Sequence, residues 1–270
     1  MRKSLAVLAI LVLIPLIQLN ANQPANTGKI SRKIIQKTSP IVQKKNEDPR
    51  IFSGSANPEL ANKISEIFGQ TPGDIKIKRF NDGEISIQYN ENLRGKNIYL
   101  LQPTCTTNQA DVDKHIMELF FMTKAAKRAS ANTITAIIPY FGYARQDRKT
   151  SARVTISASD VASFLEFAGI NRVVAIDLHC GQIQGFFRDI PVDNLPASVV
   201  FAPYMATLNL KNPVIVSPDA GGAERARKLQ TLLTNYGVNA GYAMIVKERA
   251  ALASLEKWIY WATLKVKMQL

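Results

Sequence analysis

An acid and an imidazole come directly after a short apolar run, and no other pattern in the chain points so clearly to chemistry. Residues 173–176 (VVAI) suit a buried strand, and Asp177 and His179 follow it. In a parallel α/β sheet, side chains just past the carboxyl end of a strand face the ligand crevice, so both could reach one metal ion or phosphate group. In the structural alternative, Asp177 caps the next loop and His179 is a satisfied histidine. Taken alone, the pattern slightly favours that alternative.

Three more polar clusters follow predicted strands. Residues 139–147 (PYFGYARQD) combine aromatic rings that can stack on a base with Arg145, whose guanidinium can fork onto phosphate. Asp219 lies beside a Gly-Gly pair at a helix start, a setting that favours anions. Lys247 and Arg249 could neutralise charge on a transferred phosphoryl or pyrophosphoryl group. A solvated loop, an N-cap and surface charges are the respective alternatives, but four such clusters at strand ends favour a shared phosphate or metal chemistry.

A tight turn is predicted at Asp82, Gly83 and Glu84, just before an alternating strand over residues 85–89. The two carboxylates could hydrogen-bond a nucleotide, or the turn could simply close a hairpin. From this motif alone, the hairpin is the safer interpretation.

The body of the chain alternates short β-rich runs with amphipathic helical stretches, which predicts βαβ units and an α/β fold. Helix ends are marked by capping residues and by glycines. The predicted buried strands are 97–102, 133–138, 172–176, 213–216 and 242–246. The predicted helices are 57–68, 115–129, 157–167 and 222–236.

The composition is that of a globular chain with an excess of basic residues. Of its 270 residues, 46% are hydrophobic, and 34 basic against 21 acidic residues give a formal charge of +13. That charge suits phosphate-rich ligands, nucleic acid or an anionic membrane face, and by itself does not choose among them. Because the body has no basic stripe interleaved with aromatic residues, we do not expect a nucleic-acid partner.

The N-terminal leader and the cysteine content predict different cellular locations. Residues 1–21 form a signal-like apolar leader behind Arg2 and Lys3, which predicts an exported protein or one associated with a membrane through the leader. An uncleaved anchor and a start codon placed too far upstream are alternatives. Residues 22–49 are polar and Lys-rich, which is typical of a disordered basic linker. Only two cysteines occur, both expected to be reduced and structural, which is typical of a cytosolic body.

Longer runs of sequence resemble one known family, the ribose-phosphate pyrophosphokinases, also called phosphoribosyl pyrophosphate synthases. The similarity runs from about Ile51 to about Arg249. Its most specific segments are PYFGYARQDR and DLHCGQIQGFF, and it also includes RFNDGEISIQYNENLRGKNIYLLQPTC and VSPDAGGAERA. The resemblance implies an α/β fold of two phosphoribosyltransferase-type parallel-sheet domains, the second incomplete. An N-terminal domain is expected at 50–190 and a partial C-terminal domain at 191–249.

The resemblance also implies an enzyme of nucleotide biosynthesis, a ribose-phosphate diphosphokinase. Such a transferase uses Mg²⁺ and makes phosphoribosyl pyrophosphate and AMP from ATP and ribose 5-phosphate. A homo-oligomer and a cytoplasmic location are implied as well. The implied site residues are Arg145 and Gln146 in the main ATP site, Asp82, Gly83 and Glu84 as an ATP contact lent by a neighbouring subunit, His179, Asp177 and Asp219 for magnesium, and Lys247 and Arg249 for catalysis.

The chain departs from the family after Arg249. Family members continue into a strand and the motif Asp-Asp-x-x-Asp-Thr-Gly-Gly-Thr, which holds the sugar phosphate, whereas residues 250–270 (ALASLEKWIYWATLKVKMQL) read as a divergent, basic, helix-like tail. Glu248 also stands where the family usually has a basic residue. We therefore expect weakened ribose 5-phosphate binding in a C-terminally truncated member. The alternative function is a catalytically inactive homologue that binds nucleotide or associates with family subunits.

Overall fold

The structure is a computed structural model that describes residues 49–108, 110–248 and 257–261. The chain divides into two compact units, with the boundary between Pro196 and Ala197. The predicted leader (1–21), nearly all of the predicted linker (22–49) and Arg249 lie outside the described residues. No helix in the described part of the chain is both long and apolar enough to cross a membrane.

The first unit is built on a parallel sheet. Five of its seven strands form that sheet in the order β1-β4-β5-β6-β7, and every neighbouring pair is parallel. The α/β fold predicted from the sequence is confirmed here. The strands are β1 (Arg50–Ser53), β2 (Ile75–Arg79), β3 (Ile85–Tyr89), β4 (Asn97–Leu101), β5 (Thr133–Ile138), β6 (Arg172–Ile176) and β7 (Val192–Leu195).

Three helices accompany these strands: α1 (Pro58–Ile67), α2 (Val112–Arg128) and α3 (Ser157–Ala168). Asn57 caps α1, since its side chain accepts a hydrogen bond from the Leu60 backbone N–H, and Pro58 takes the first helical position. The buried face of α2 repeats at helical spacing, which is the pattern that predicted the helix. Its members Ile116, Leu119, Met122 and Ala126 join the sheet residues in one core.

The hairpin of β2 and β3 forms a separate two-stranded antiparallel sheet. It is tied to α2 by the Tyr89 hydroxyl, which donates to the Met122 carbonyl at 2.9 Å. Burial raises the pKa of Tyr89, so this phenol stays protonated as a donor.

The second unit contains a smaller, three-stranded sheet. Its elements are α4 (Ser198–Ala206), β8 (Val214–Ser217), α5 (Ala223–Asn235), β9 (Gly241–Glu248) and β10 (Lys257–Trp261). β8 pairs with β9 in parallel, and β9 pairs with β10 antiparallel. A small core of Ala202, Ile215, Ala226, Leu233 and Ala240 holds the helices to the sheet.

The helix-like reading of the tail is wrong for residues 257–261, which form β10. The segment KWIYW is rich in aromatic and β-branched residues, which favour a pleated strand, and β9 offers it an edge to pair with. The other predicted strands and helices are confirmed within a few residues at their ends.

Candidate functional site

The parallel register brings the carboxyl ends of β4, β5 and β6 to one edge of the sheet. Leu101 pairs with Ile137 in the first ladder, and Ile138 pairs with Ala175 in the second. The loops that follow these strands therefore begin side by side. They contain Thr104, the ARQD segment from residue 144 to 147, and the pair Asp177 and His179.

The loop after β5 is fastened to the loop after β4 by Thr104. Its hydroxyl accepts from the Gly142 N–H at 2.7 Å and donates to the Tyr140 carbonyl at 2.9 Å. A Cβ on Gly142 would lie 2.6 Å from the Thr104 carbonyl oxygen, closer than real Cβ contacts come. Only glycine fits this approach, so the loop path toward Arg145 is set by Gly142 and Thr104.

Tyr143 adopts a left-handed backbone conformation, with φ 63°. Non-glycine residues with positive φ are strained and concentrate at functional sites. The Tyr143 hydroxyl donates to the carboxylate of Asp113 on α2, a bond that raises the pKa of Tyr143. The Tyr143 carbonyl accepts from the Gln146 N–H at 2.8 Å. This turn therefore contains Arg145 and Gln146, the residues expected to contact ATP.

Arg145 and Gln146 are both exposed, as residues that contact a nucleotide must be. The Gln146 side-chain oxygen accepts from the Ser157 hydroxyl at 2.7 Å, and its backbone carbonyl accepts from Ala158 N–H at 3.2 Å. Both donors lie in the first turn of α3. Because the amide oxygen is engaged, the amide N–H₂ of Gln146 is the end that can donate to a ligand.

Asp177 and His179 are exposed on either side of the buried Leu178. Asp177 has φ 46°, which bends the chain away from the strand direction and is tolerated because Asp is among the few residues that enter this region. The Leu178 N–H donates to the side-chain oxygen of Asn194 on β7 at 3.0 Å. The two candidate ligands thus lie at the carboxyl edge of the sheet, where the sequence pattern predicted them.

A thiol connects this segment to the ARQD loop. Cys180 donates its S–H to the Asp147 carboxylate, with Sγ 3.0 Å from Oδ2. This hydrogen bond is the main reason that the pKa of Asp147 lies below its usual value, and the charges of His179 and Arg148 lower it further. Burial, followed by the same carboxylate, raises the pKa of the Cys180 thiol. Both shifts favour a neutral thiol and an ionised carboxylate.

Asp177 offers the type of ligand that Mg²⁺ prefers, because its side chain ends in carboxylate oxygens. Mg²⁺ usually keeps several waters and takes one or two carboxylates together with substrate phosphates. Within the described residues no group of three or more His, Cys, Asp or Glu side chains could hold a metal ion. The magnesium role expected for Asp177 and His179 therefore stays a prediction.

The remaining predicted residues belong to other elements of the chain. Asp82, Gly83 and Glu84 form the turn between β2 and β3, where the Glu84 N–H donates to the Asp82 carboxylate at 3.1 Å, so the hairpin interpretation holds. Asp219, in the second unit, caps a short 3₁₀ turn by accepting from the Gly222 N–H at 2.8 Å. Lys247 lies in β9. Arg249 lies outside the described residues.

Sequence reasoning did not assign Asp147 or Cys180 to the site. In the sequence, Asp147 is one carboxylate in the segment 139–147, and Cys180 is expected to be a reduced structural cysteine. Both cysteines are free, and the contact of Cys180 with Asp147 spans 33 positions of sequence. The one available signal was that each residue directly adjoins a candidate ligand, Gln146 or His179.

Comparisons with known proteins point to one family. Residues 49–169 match the family described as the N-terminal domain of ribose phosphate pyrophosphokinase. The ribose-phosphate pyrophosphokinase of Campylobacter jejuni is 54% identical over 180 residues, 67% of this chain and 57% of that protein. The Helicobacter pylori protein of the same name is 52% identical over 178 residues, 66% of this chain and 54% of that protein.

The fold comparison gives the same result. The crystal structure of phosphoribosylpyrophosphate synthetase from Mycobacterium smegmatis is similar with a TM-score of 0.67 and 36% sequence identity. The match covers 76% of this chain and 66% of that one. The chain thus spans just over half the length of the curated relatives it matches.

Proposed function

Because this chain belongs to the ribose-phosphate pyrophosphokinase family, we propose that it transfers the β,γ-pyrophosphoryl group of ATP to ribose 5-phosphate. The anomeric oxygen of the sugar attacks the β-phosphorus and loses its proton, and the bond from that phosphorus to the bridging oxygen of AMP breaks. The observation that carries the proposal is the meeting of the Arg145 and His179 loops at one edge of the parallel sheet.

In this proposal the loop after β5 binds the nucleotide. Arg145 donates to phosphate oxygens, for which a planar guanidinium is well suited. Gln146 donates its amide N–H₂, because Ser157 already engages the amide oxygen. The contacts of Thr104 and Tyr143 hold the backbone of this loop before ATP arrives, which reduces the entropy lost on binding.

Asp177 and His179 are the proposed ligands of Mg²⁺ in the first unit, and Asp219 is the proposed carboxylate in the second. A Mg²⁺ ion bound together with ATP would neutralise charge on the phosphate groups. The exposed positions of Asp177 and His179 support this role, since a bound nucleotide can reach them. Asp147, ionised next to His179, adds negative potential that favours a cation at the same edge.

The other roles rest on the family alone. We propose that Lys247 and Arg249 neutralise charge that develops on the transferred group, and that Asp82, Gly83 and Glu84 contact the ATP of a neighbouring subunit in a homo-oligomer. The exposure of the β2–β3 turn is compatible with an intersubunit contact. A cytoplasmic location is proposed on the same basis, with export or anchoring through residues 1–21 as the alternative.

A catalytically inactive, nucleotide-binding homologue is the second candidate. It is favoured by residues 250–270, which contain no counterpart of the family's motif Asp-Asp-x-x-Asp-Thr-Gly-Gly-Thr, whose donors hold the sugar phosphate. Losing those donors would remove the charge-assisted hydrogen bonds that anchor the sugar phosphate.

The two candidate functions are distinguished by whether AMP and phosphoribosyl pyrophosphate are formed. Purified protein is incubated with Mg²⁺, ATP and ribose 5-phosphate, and AMP and phosphoribosyl pyrophosphate are quantified. The enzyme proposal predicts both products in equal amounts, at a rate abolished by Lys247→Ala and unchanged by Lys228→Ala, whose lysine pairs with Glu224 on the surface of α5. ATP binding without AMP formation would instead establish the inactive homologue.

A further inference from the structure

We infer that Cys180 is a positioning residue, whose thiol holds Asp147 and so keeps the ATP loop in register with the metal ligand His179. The inference rests on the proposed function, because it concerns how that nucleotide site is organised. It concerns a side chain that, in this account, contacts neither ATP nor magnesium. Its effect passes through the carboxylate of Asp147.

The first support is the location of the bond. The ladder between β5 and β6 ends at the pair of Ile138 and Ala175. Beyond it, the ARQD loop and the His179 segment are connected by the contact of Cys180 Sγ with Asp147 Oδ2 at 3.0 Å. Asp147 directly follows Gln146, and Cys180 directly follows His179. The hydrogen bond therefore joins the proposed nucleotide loop to the proposed metal loop.

The second support is that one end of the bond is rigid. The Cys180 carbonyl accepts from the N–H of Ile183, a fully buried residue in the 3₁₀ helix Gly181–Phe186. On the other side, Leu178 is buried and its N–H is held by Asn194. Asp147, in contrast, lies in a loop whose neighbours Gln146 and Arg148 are exposed. The packed segment around Cys180 therefore restrains the exposed loop that contains Asp147.

The third support is the chemistry of the donor. Without a neutral donor, the Asp147 carboxylate would be free to pair with Arg148, the next residue along the loop. A thiol is a weak, uncharged donor, which engages one oxygen without adding positive charge. It therefore fixes the carboxylate of Asp147 on the side of the His179 segment.

The test measures ATP affinity by titration calorimetry on the full chain, with saturating Mg²⁺ and with EDTA. Cys180→Ala is expected to weaken MgATP binding about two- to tenfold, the range for one hydrogen bond, and to change metal-free ATP binding less. Cys180→Ser keeps a donor and is expected to restore most of the affinity. Cys105→Ala removes the other free, partly buried thiol and is expected to leave binding unchanged.

A double-mutant cycle separates positioning from packing. If Cys180 acts through Asp147, then Asp147→Ala, which removes the acceptor, alone weakens MgATP binding, and adding Cys180→Ala causes little further loss. An equal loss from Cys180→Ala in both backgrounds would mean that the thiol only fills space, and would overturn the inference. Unchanged MgATP affinity in Asp147→Ala would overturn it too, even if Cys180→Ala failed to fold.

Failure of the proposed function and failure of the inference on Cys180 give different results. If the wild-type chain binds no ATP, the nucleotide site itself is refuted, and the positioning role with it. If the wild type binds MgATP and Cys180→Ala binds it equally well, only the inference is wrong.

Discussion

Gly142 and Thr104 approach so closely that the backbone N–H of the glycine donates to the threonine hydroxyl at 2.7 Å. A Cβ at position 142 would also meet Val112 Cγ1 at 2.7 Å. The contact fixes the path of the loop that continues to Arg145. A substitution here therefore tests whether the shape of this loop matters for nucleotide binding.

Gly142→Ala is expected to destabilise the fold by about 1–3 kcal/mol through overpacking and to weaken ATP binding through displacement of the loop. Denaturant unfolding and ATP titration measure the two effects. Gly185→Ala is the matched control, because a Cβ there meets nothing within 4 Å. Equal behaviour of the two alanine variants would contradict the proposed constraint.

Tyr143→Phe removes the hydroxyl that donates to Asp113 and leaves the ring in place. The strained backbone at φ 63° then loses one of its anchors. We expect ATP to bind about two- to tenfold more weakly, with little change in unfolding free energy, because the hydrogen bond is solvent-exposed. Tyr204→Phe, in the second unit, serves as a comparison. ATP affinity equal to that of the wild type in Tyr143→Phe would show that the anchor is dispensable.

A buried carboxylate stabilises the same edge of the sheet. Glu118 on α2 is 1% exposed and accepts from the Ser55 hydroxyl at 2.7 Å and from the Gln102 amide at 2.8 Å. Glu118→Ala leaves buried donors unpaired and is expected to cost about 2–4 kcal/mol of unfolding free energy. The neighbouring Met117→Ala, on the exposed face, should cost much less. Chemical denaturation measures the free energy of unfolding of both variants. Similar losses would contradict the stabilising role of the hydrogen bonds that Glu118 accepts.

An ion pair near the start of β1 predicts a pH dependence of stability. Arg50 Nε donates to the Glu91 carboxylate at 2.7 Å, and this bond holds the pKa of Glu91 below its usual 4.5. A carboxyl whose pKa falls on folding stabilises the fold above its unfolded pKa. That contribution is lost as the pH falls through the folded value. The wild type should therefore lose more unfolding free energy below pH 4.5 than Glu91→Gln does.

The size of this contribution is measured by denaturation at neutral pH. Arg50→Met is expected to cost about 1–3 kcal/mol, because the guanidinium also donates to the Thr71 carbonyl at 2.6 Å. Lys63→Met breaks a surface pair with Glu59 and should cost less than about 1 kcal/mol. Parallel acid profiles for the wild type and Glu91→Gln would refute the assignment to this pair.

The sequence predicted those parts of the fold whose signals are local. β5 and β6 have the predicted bounds because each is a short, buried, β-branched run. β7 (VDNL) was missed because four residues with two polar ones have no periodicity, and the strand exists only through pairing with β6. β10 was misread because its pairing with β9 is likewise non-local.

The candidate site likewise contains residues that a local sequence signal predicts and residues that depend on contacts between loops. The positions of Asp177 and His179 follow from a rule about strand ends, so the sequence alone could predict them. The link between Asp147 and Cys180 depends on how two loops fold toward each other, and no rule of spacing contains it. The constraint on Gly142 depends equally on a backbone from another loop, that of Thr104.

In the proposed function, the carboxyl edge of the five-stranded sheet binds MgATP through the ARQD loop. Calorimetric titration of the full chain with MgATP tests it directly, comparing the wild type with Arg145→Ala and with Arg94→Ala. Arg94 is exposed and precedes β4, at the opposite edge of the sheet. Arg145→Ala is expected to weaken binding by about tenfold or more, and Arg94→Ala is expected to bind like the wild type. A folded wild type that binds no MgATP, or an Arg145→Ala variant with unchanged affinity, would contradict it.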